Sequence, residues 1–299
     1  AGIDPSQAAH FFLYKSFILV FKFLIYNIIN INYIKRMFIN KNYLNLEKVS
    51  KDHVQEYINA KPFPSITFDN FFENDVLNKI LNNFPKNIDE IGNKFNNQAE
   101  KKLSLNSAEK FSIETNNFIN FLNSAPFVKF LNNLTGIKET LITDPYLIGG
   151  GLHELKNDGY LNVHADFNQH PKMKLDRRLN ILIYLNHNWS DGNGGHLELW
   201  DKEMKKCQKK ILPIFNRMVI FSTTDFSYHG NPNKVKVDRN HSRKSIALYY
   251  YSNGRPDTEK KLGLHSTIFR KRPGTQDVDG NLEFKKIFGK IYLKSKKKI

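Results

Sequence analysis

Beyond about Leu141 the apolar residues of this chain stop recurring at helical spacing and begin to alternate. An alternating pattern places successive side chains on opposite faces of an extended strand. Candidate strands fall at 146–155, 160–167, 179–186, 195–200, 217–221 and 243–251. Turn-forming runs divide them, among them Asn157-Asp158-Gly159 and Ser190-Asp191-Gly192-Asn193-Gly194. Many short strands after a helical preface predict an α+β, mainly β, fold. Its core would be a double-stranded β-helix (jelly roll) or barrel with supporting N-terminal helices.

The preface reads as follows. The folded domain is expected to begin near Lys61, with a short strand over 64–68 and Asp69 or Asn70 as a cap. Val76, Leu77, Ile80, Leu81 and Phe84 recur at helical spacing and stop at Pro85. A polar Asn- and Lys-rich connection covers 87–110. A second helix carries Phe118, Phe121 and Leu122, and a third carries Phe127, Val128, Phe130, Leu131 and Leu134 before Gly136. Such stripes pack on a sheet. The expected organisation is a hydrophobic segment 1–36, a strand with supporting helices 37–145, a jelly-roll catalytic core 146–256 and a basic extension 257–299.

Within the first segment, 11–34 is largely apolar but is broken by Lys15, Lys22 and several Asn residues. Three readings stand: a membrane anchor, an amphipathic helix packed on the domain, or sequence upstream of Met37. No small-residue site follows it, which argues against a signal peptide. A cytoplasmic location is the expectation, with membrane association as the alternative if 11–34 is an anchor. The single cysteine, Cys207, rules out an intrachain disulfide framework and a Cys-based zinc site. Net charge is +16, suited to an acidic partner. Much of the excess lies in Lys285-Lys286 and Ser295-Lys296-Lys297-Lys298, which read as a solvated tail. No nucleic-acid-binding signature accompanies it.

Chemistry centres on Val163-His164-Ala165-Asp166-Phe167. Residues two apart on a strand share a face, so His164 and Asp166 would present an imidazole and a carboxylate side by side. With one further His they would make a 2-His-1-carboxylate facial triad, which leaves coordination positions open on non-haem Fe(II). Alone the pair is weak, and a surface hydrogen-bonded pair is the bland alternative. His196-Leu197-Glu198 has the same spacing, and alternation cannot separate the two. Downstream, His229 lies in a turn-rich segment after an apolar strand, and Arg243 opens another. An Arg entering an apolar strand costs free energy to bury unless it meets an anion. Its planar guanidinium suits a carboxylate.

Here the chain resembles the Fe(II)/2-oxoglutarate-dependent dioxygenases, in their prolyl-4-hydroxylase-like branch, from about Pro62 to Pro256. The carriers are His164, Asp166, His229 and Arg243, together with Tyr184-Leu185-Asn186, Trp189 and Gly194-Gly195-His196-Leu197-Glu198-Leu199. The resemblance implies that His164, Asp166 and His229 hold Fe(II). It also implies that Arg243 and Tyr184 hold the distal carboxylate of 2-oxoglutarate, with O2 as the other co-substrate and ascorbate as a supporting reductant. It places Leu197 inward and its neighbours outward. Asn180 and Leu182 share a face with Tyr184, and Ser245 shares one with Arg243. Asn180 and Ser245 are therefore further candidates for co-substrate binding. Tyr160, His153 and Tyr228 are candidates for the surroundings of the site. Asp225 is a candidate for orienting the His229 turn, and His170, His187 and His241 read as surface histidines.

The implied reaction is hydroxylation of an unactivated C–H bond with release of succinate and CO2. Because Asp166 is retained, hydroxylation is favoured over halogenation. The branch points to a prolyl residue of a peptide or protein, and the basic charge to an acidic one. Hydroxylation of a small molecule is the enzymatic alternative. A non-catalytic jelly-roll binding module is the alternative from another class.

Overall fold

The computed structural model describes residues 35–259 and 262–280. The apolar stretch 11–34 and the lysine runs near the end lie outside the described residues. No described helix is long and apolar enough to cross a membrane.

Helical spacing is realised where it was expected, and also ahead of it. Helix α1 (Leu46–Asn59) precedes the anticipated start at Lys61; Asn45 caps it by accepting from Lys48 N, and Leu46, Val49 and Tyr57 are buried. Helices α2 (Asn74–Asn82) and α3 (Ile88–Ile91) follow β1 (Ser65–Asp69). Helix α4 (Ile113–Leu122) starts at Ser112, whose hydroxyl accepts from Thr115 N. Helix α5 (Ala125–Thr135) has Pro126 in its first turn and stops at Gly136 in the left-handed conformation. The Asn- and Lys-rich connection is not irregular: it holds α3, β2 (Asn93–Asn96) and β3 (Glu100–Leu105). Pairing of β3 with β5 and β6 supplies what its polar side chains do not advertise.

The remaining strands are β4 (Ile142–Thr143), β5 (Gly151–Leu155), β6 (Tyr160–Ala165), β7 (Asp176–Tyr184), β8 (Leu197–Trp200), β9 (Cys207–Ile211), β10 (Arg217–Ser222), β11 (His229–Asn231), β12 (Arg243–Ser252) and β13 (Ile268–Phe269). Residues 146–150, expected as strand, form a turn with Leu147 and Gly149 at positive φ. At Gly151 (φ +92) a Cβ would lie 2.2 Å from Leu105 O, so only glycine lets β3 approach here.

One layer runs β1-β10-β7-β12-β5-β3 and curls over into β6-β11-β8-β9, with every pair antiparallel. This is the expected jelly roll. The alternation on β7 sorts the two sides. Leu179, Ile181 and Ile183 pack with Phe118, Phe127, Phe130 and Leu131 of the helices, whereas Leu182 and Tyr184 join Leu197, Val219 and Phe221 inside the barrel. Each fully buried Leu or Phe contributes about 1.5–3 kcal/mol by leaving water, so the helices act as a stiff backing for the barrel wall.

Asn216 fastens backing to barrel. Fully buried at φ 57, it accepts from Phe72 N (3.1 Å) and donates to Phe72 O (2.7 Å) and Asn74 Oδ1 (2.6 Å). Asn216→Ala strands a buried backbone N–H and C=O and puts alanine in the left-handed region. The expected loss is about 2–4 kcal/mol, read from the urea unfolding midpoint.

Candidate active site

Strand register assembles the site. His164 lies near the end of β6 and Asp166 just past it, while His229 opens β11, directly opposite His164. The two imidazole centroids are 4.5 Å apart. His164 Nε2 is 3.5 Å from Asp166 Oδ1, and His229 Nε2 is 3.4 Å from Asp166 Oδ2. One ligand atom from each of the three lies within 4.8 Å of the others. Each Nδ1 faces a carbonyl, Asn162 O at 2.8 Å for His164 and Ser227 O at 2.9 Å for His229. A carbonyl only accepts, so Nδ1 carries the proton and the Nε2 lone pair faces Asp166. That tautomer is the one a metal needs.

Electrostatics agree. Burial pulls the His229 pKa down to about 4, keeping the ring neutral. Burial opposes ionisation of Asp166, yet the Arg177 guanidinium beside it holds its carboxyl well below the usual carboxylate range. Two imidazoles held by their Nδ1 atoms and one carboxylate fit a divalent metal with positions left open.

The opposite end of the cavity is cationic. Arg243, 4% exposed, opens β12 and donates from Nε to Gly195 O at 2.7 Å. Gly195 sits at φ +64, and a Cβ there would be 2.8 Å from Arg243 Cδ. The guanidinium carbon lies 4.9 Å from the Tyr184 ring centroid, and Ser245 faces Tyr184 in the register. Tyr184 Oη is buried and finds no partner at hydrogen-bonding geometry among the described residues. A buried cation beside an orphaned hydroxyl fits one end of a dicarboxylate. His164, Asp166, His229, Arg243, Ser245 and Asn180 line a single cavity; Tyr184 lies beneath Arg243 rather than on its surface.

Other candidates sort differently. Asn180 lines the cavity, but its amide is engaged by Asp166 and Arg177. Leu197 and Leu182 face the cavity. The rival pair separates: His196 meets Asp191 at 2.8 Å, and Glu198 accepts from Trp200 Nε1 and Asn233 Nδ2, away from the metal ligands. Tyr160 Oη donates to Asn97 O, and Tyr228 Oη accepts from Arg270 Nε at 3.3 Å. Asp225, expected to orient the His229 turn, accepts from His265 Nε2, Asn168 Nδ2 and Leu262 N; Ser227 O orients His229. His187 and His241 are exposed as expected. His170 is not: it is fully buried against Asp144 at 3.1 Å, clipping two loops together.

Sequence reading passed over Arg177 and β13. Arg177, 1% exposed, reaches Asp166 Oδ2 at 3.1 Å. Its only sequence signal is the one that exposed Arg243, an arginine opening an apolar strand. Phe269 on β13 pairs with His164 and packs its ring 5.6 Å from the imidazole, which brings the C-terminal extension to the wall of the site.

His153 also lines the cavity, with Nε2 3.0 Å from Gly149 O. Burial first, then the charges of Lys102 and Arg243, pull its pKa down to about 3. An unfolded His titrates near about 6.5. Below that pH the unfolded chain takes up a proton that the folded chain refuses. The stability contributed by this group is therefore complete above about 6.5 and drains away as pH falls toward 3. We expect His153→Gln to flatten the decline in urea midpoint between pH 7 and pH 5; an unchanged slope would assign that decline elsewhere.

Comparison with known proteins follows this geometry. Residues 150–251 match the 2OG-Fe(II) oxygenase superfamily. No curated protein sequence matches the chain. Among solved structures, a Pseudomonas putida prolyl-4-hydroxylase aligns at 12% identity over 69% of this chain and 100% of its own, with a TM-score of 0.50. A Trichoplax adhaerens prolyl hydroxylase, solved with a hypoxia inducible factor oxygen degradation domain peptide fragment, aligns at 19% identity over 71% and 92%, with a TM-score of 0.51. The strand-rich core that carries the site, residues 150–251, is thus a 2OG-Fe(II) oxygenase domain. Its fold is similar to that of these two prolyl hydroxylases.

Proposed function

We propose that this protein hydroxylates an unactivated C–H bond, with a prolyl residue of a peptide or protein as the substrate. The observation that carries this reading is the union, in one cavity, of the His164–Asp166–His229 triad and the buried Arg243 with Ser245. His164, Asp166 and His229 would hold Fe(II); Arg243, with Tyr184 and Ser245, would hold the far carboxylate of 2-oxoglutarate. Iron held there would supply oxidative decarboxylation of 2-oxoglutarate: one oxygen atom of O2 would end in succinate, CO2 would leave, and the other oxygen would be inserted into the C–H bond. The protein's own residues orient and enclose. Nδ1 protons fix the imidazoles, Gly195 makes room for Arg243, and the apolar barrel face excludes water.

Lys102 also lines the cavity, and Lys94, Lys101 and Lys156 border the adjoining cleft that it shares. Lys102 pairs with Glu100 and Lys156 with Asp89, so support for a substrate carrying acidic residues near the target rests on Lys94 and Lys101. A peptide-bound neighbour of the same fold is consistent with this class.

The test incubates the full chain with Fe(II), 2-oxoglutarate and ascorbate, first without and then with prolyl-peptide and metabolite pools. Succinate release with a one-oxygen mass gain on an acidic prolyl peptide is the expected result. A mass gain confined to a metabolite would move the reading to small-molecule hydroxylation. Failure of succinate to form with any pool would favour a binding module.

A further inference from the structure

We propose that Asn180 is a positioning residue for Asp166 and not a ligand of 2-oxoglutarate. Together with Arg177 it clamps one carboxylate oxygen, leaving the other for the metal. The proposal rests on the dioxygenase reading above.

Asp166 lies beyond the last residue of β6, so no strand ladder fixes its side chain. What fixes it comes from β7, in the opposite layer of the barrel. Asn180 Nδ2 donates to Asp166 Oδ2 at 2.7 Å, and Arg177 Nη2 forms an ion pair with the same oxygen at 3.1 Å. Asn180 Oδ1 in turn accepts from Arg177 Nε at 3.1 Å and Nη2 at 2.8 Å. Both ends of the amide are therefore engaged, and its orientation is set by the arginine. Arg177 cannot swing away, because its guanidinium carbon lies 3.5 Å from the Tyr249 ring centroid and 4.5 Å from that of Phe167.

Oδ2 thus carries the amide hydrogen bond and the ion pair from β7, besides lying 3.4 Å from His229 Nε2. Oδ1, 3.5 Å from His164 Nε2, has neither partner and is left as the metal-facing atom. The clamp thus enforces one-oxygen coordination, which keeps positions open for 2-oxoglutarate and O2. Alteration of such partners typically costs about 10–100-fold in metal affinity.

The probe is Co(II), titrated into the full-length protein without 2-oxoglutarate and followed by calorimetry and visible absorption. Asn180→Leu keeps the volume and removes both hydrogen-bonding ends. Its Co(II) affinity should fall about 10–100-fold and its Co(II) bands should shift. Affinity for 2-oxoglutarate at saturating metal should stay within about twofold of wild type, well inside the loss just given. Arg177→Lys, which keeps the charge and loses the fork, should move affinity and bands in the same direction by less. A purely structural role would lower the melting temperature and leave the Co(II) spectrum alone, overturning the proposal. So would wild-type Co(II) affinity with weakened 2-oxoglutarate binding, which would give Asn180 to the co-substrate. If wild type and Asp166→Ala bind Co(II) equally, the dioxygenase reading falls, and this proposal with it.

Discussion

Asp166→Ala should leave a folded protein that retains no iron and releases no succinate. In the proposed triad the carboxylate is the only anionic ligand, so its loss would remove both a coordinating atom and the charge that offsets the divalent cation. The same substitution leaves Arg177 buried beside an empty position, an uncompensated cation at 1% exposure. Stability should therefore fall as well, and activity must be scored against a thermal melt. Asp166→Asn separates the effects, since it preserves shape and a hydrogen-bond acceptor for Arg177 while removing the charge. Iron content of the purified protein is the decisive measurement, and wild-type occupancy in Asp166→Ala would remove Asp166 from the ligand set.

The second large effect is expected at Arg243. Arg243→Ala should retain iron but weaken 2-oxoglutarate binding by about 2–4 kcal/mol, roughly 30- to 1,000-fold, the range for removing one partner of a buried charge-assisted pair. Arg243→Lys should recover part of this, because an ammonium keeps charge but not the planar fork. The readout is the 2-oxoglutarate KM from succinate release. Unchanged KM in Arg243→Ala would show that the co-substrate is held elsewhere in the cavity.

The parts of this site that could be read from sequence are those governed by short, fixed periods. His164 and Asp166 sit two apart, so strand geometry alone places them together. His229 and Arg243 needed more, since nothing local says that β11 falls opposite β6 or that β12 returns beside β7. Only the order of motifs shared with the resembled family links them. Arg177 and Asn180 were harder still. Their contact with Asp166 runs between layers of the barrel, and no periodicity records which strand ends up across a cavity. The same limit applies to the fold. Helices with dense aromatic stripes were legible, whereas α1 spreads Leu46, Val49 and Tyr57 among charged residues and shows its apolar face only once packed. In β3 only Leu103 and Leu105 carry the apolar signal, and β13 is two residues long, too short for any pattern to register.

That last strand has a bearing on how the chain behaves in solution. The superfamily match ends at residue 251, yet Ile268 and Phe269 pair with Ala165 and His164, and Arg270 N donates to Val163 O. A chain cut where the match stops would leave this flank of β6 with bare backbone donors and acceptors, next to His164. Open edges of that kind recruit strands from other molecules. The extension thus doubles as a guard against self-association, and shortening the protein to its matched core would invite aggregation at the wall of the candidate site.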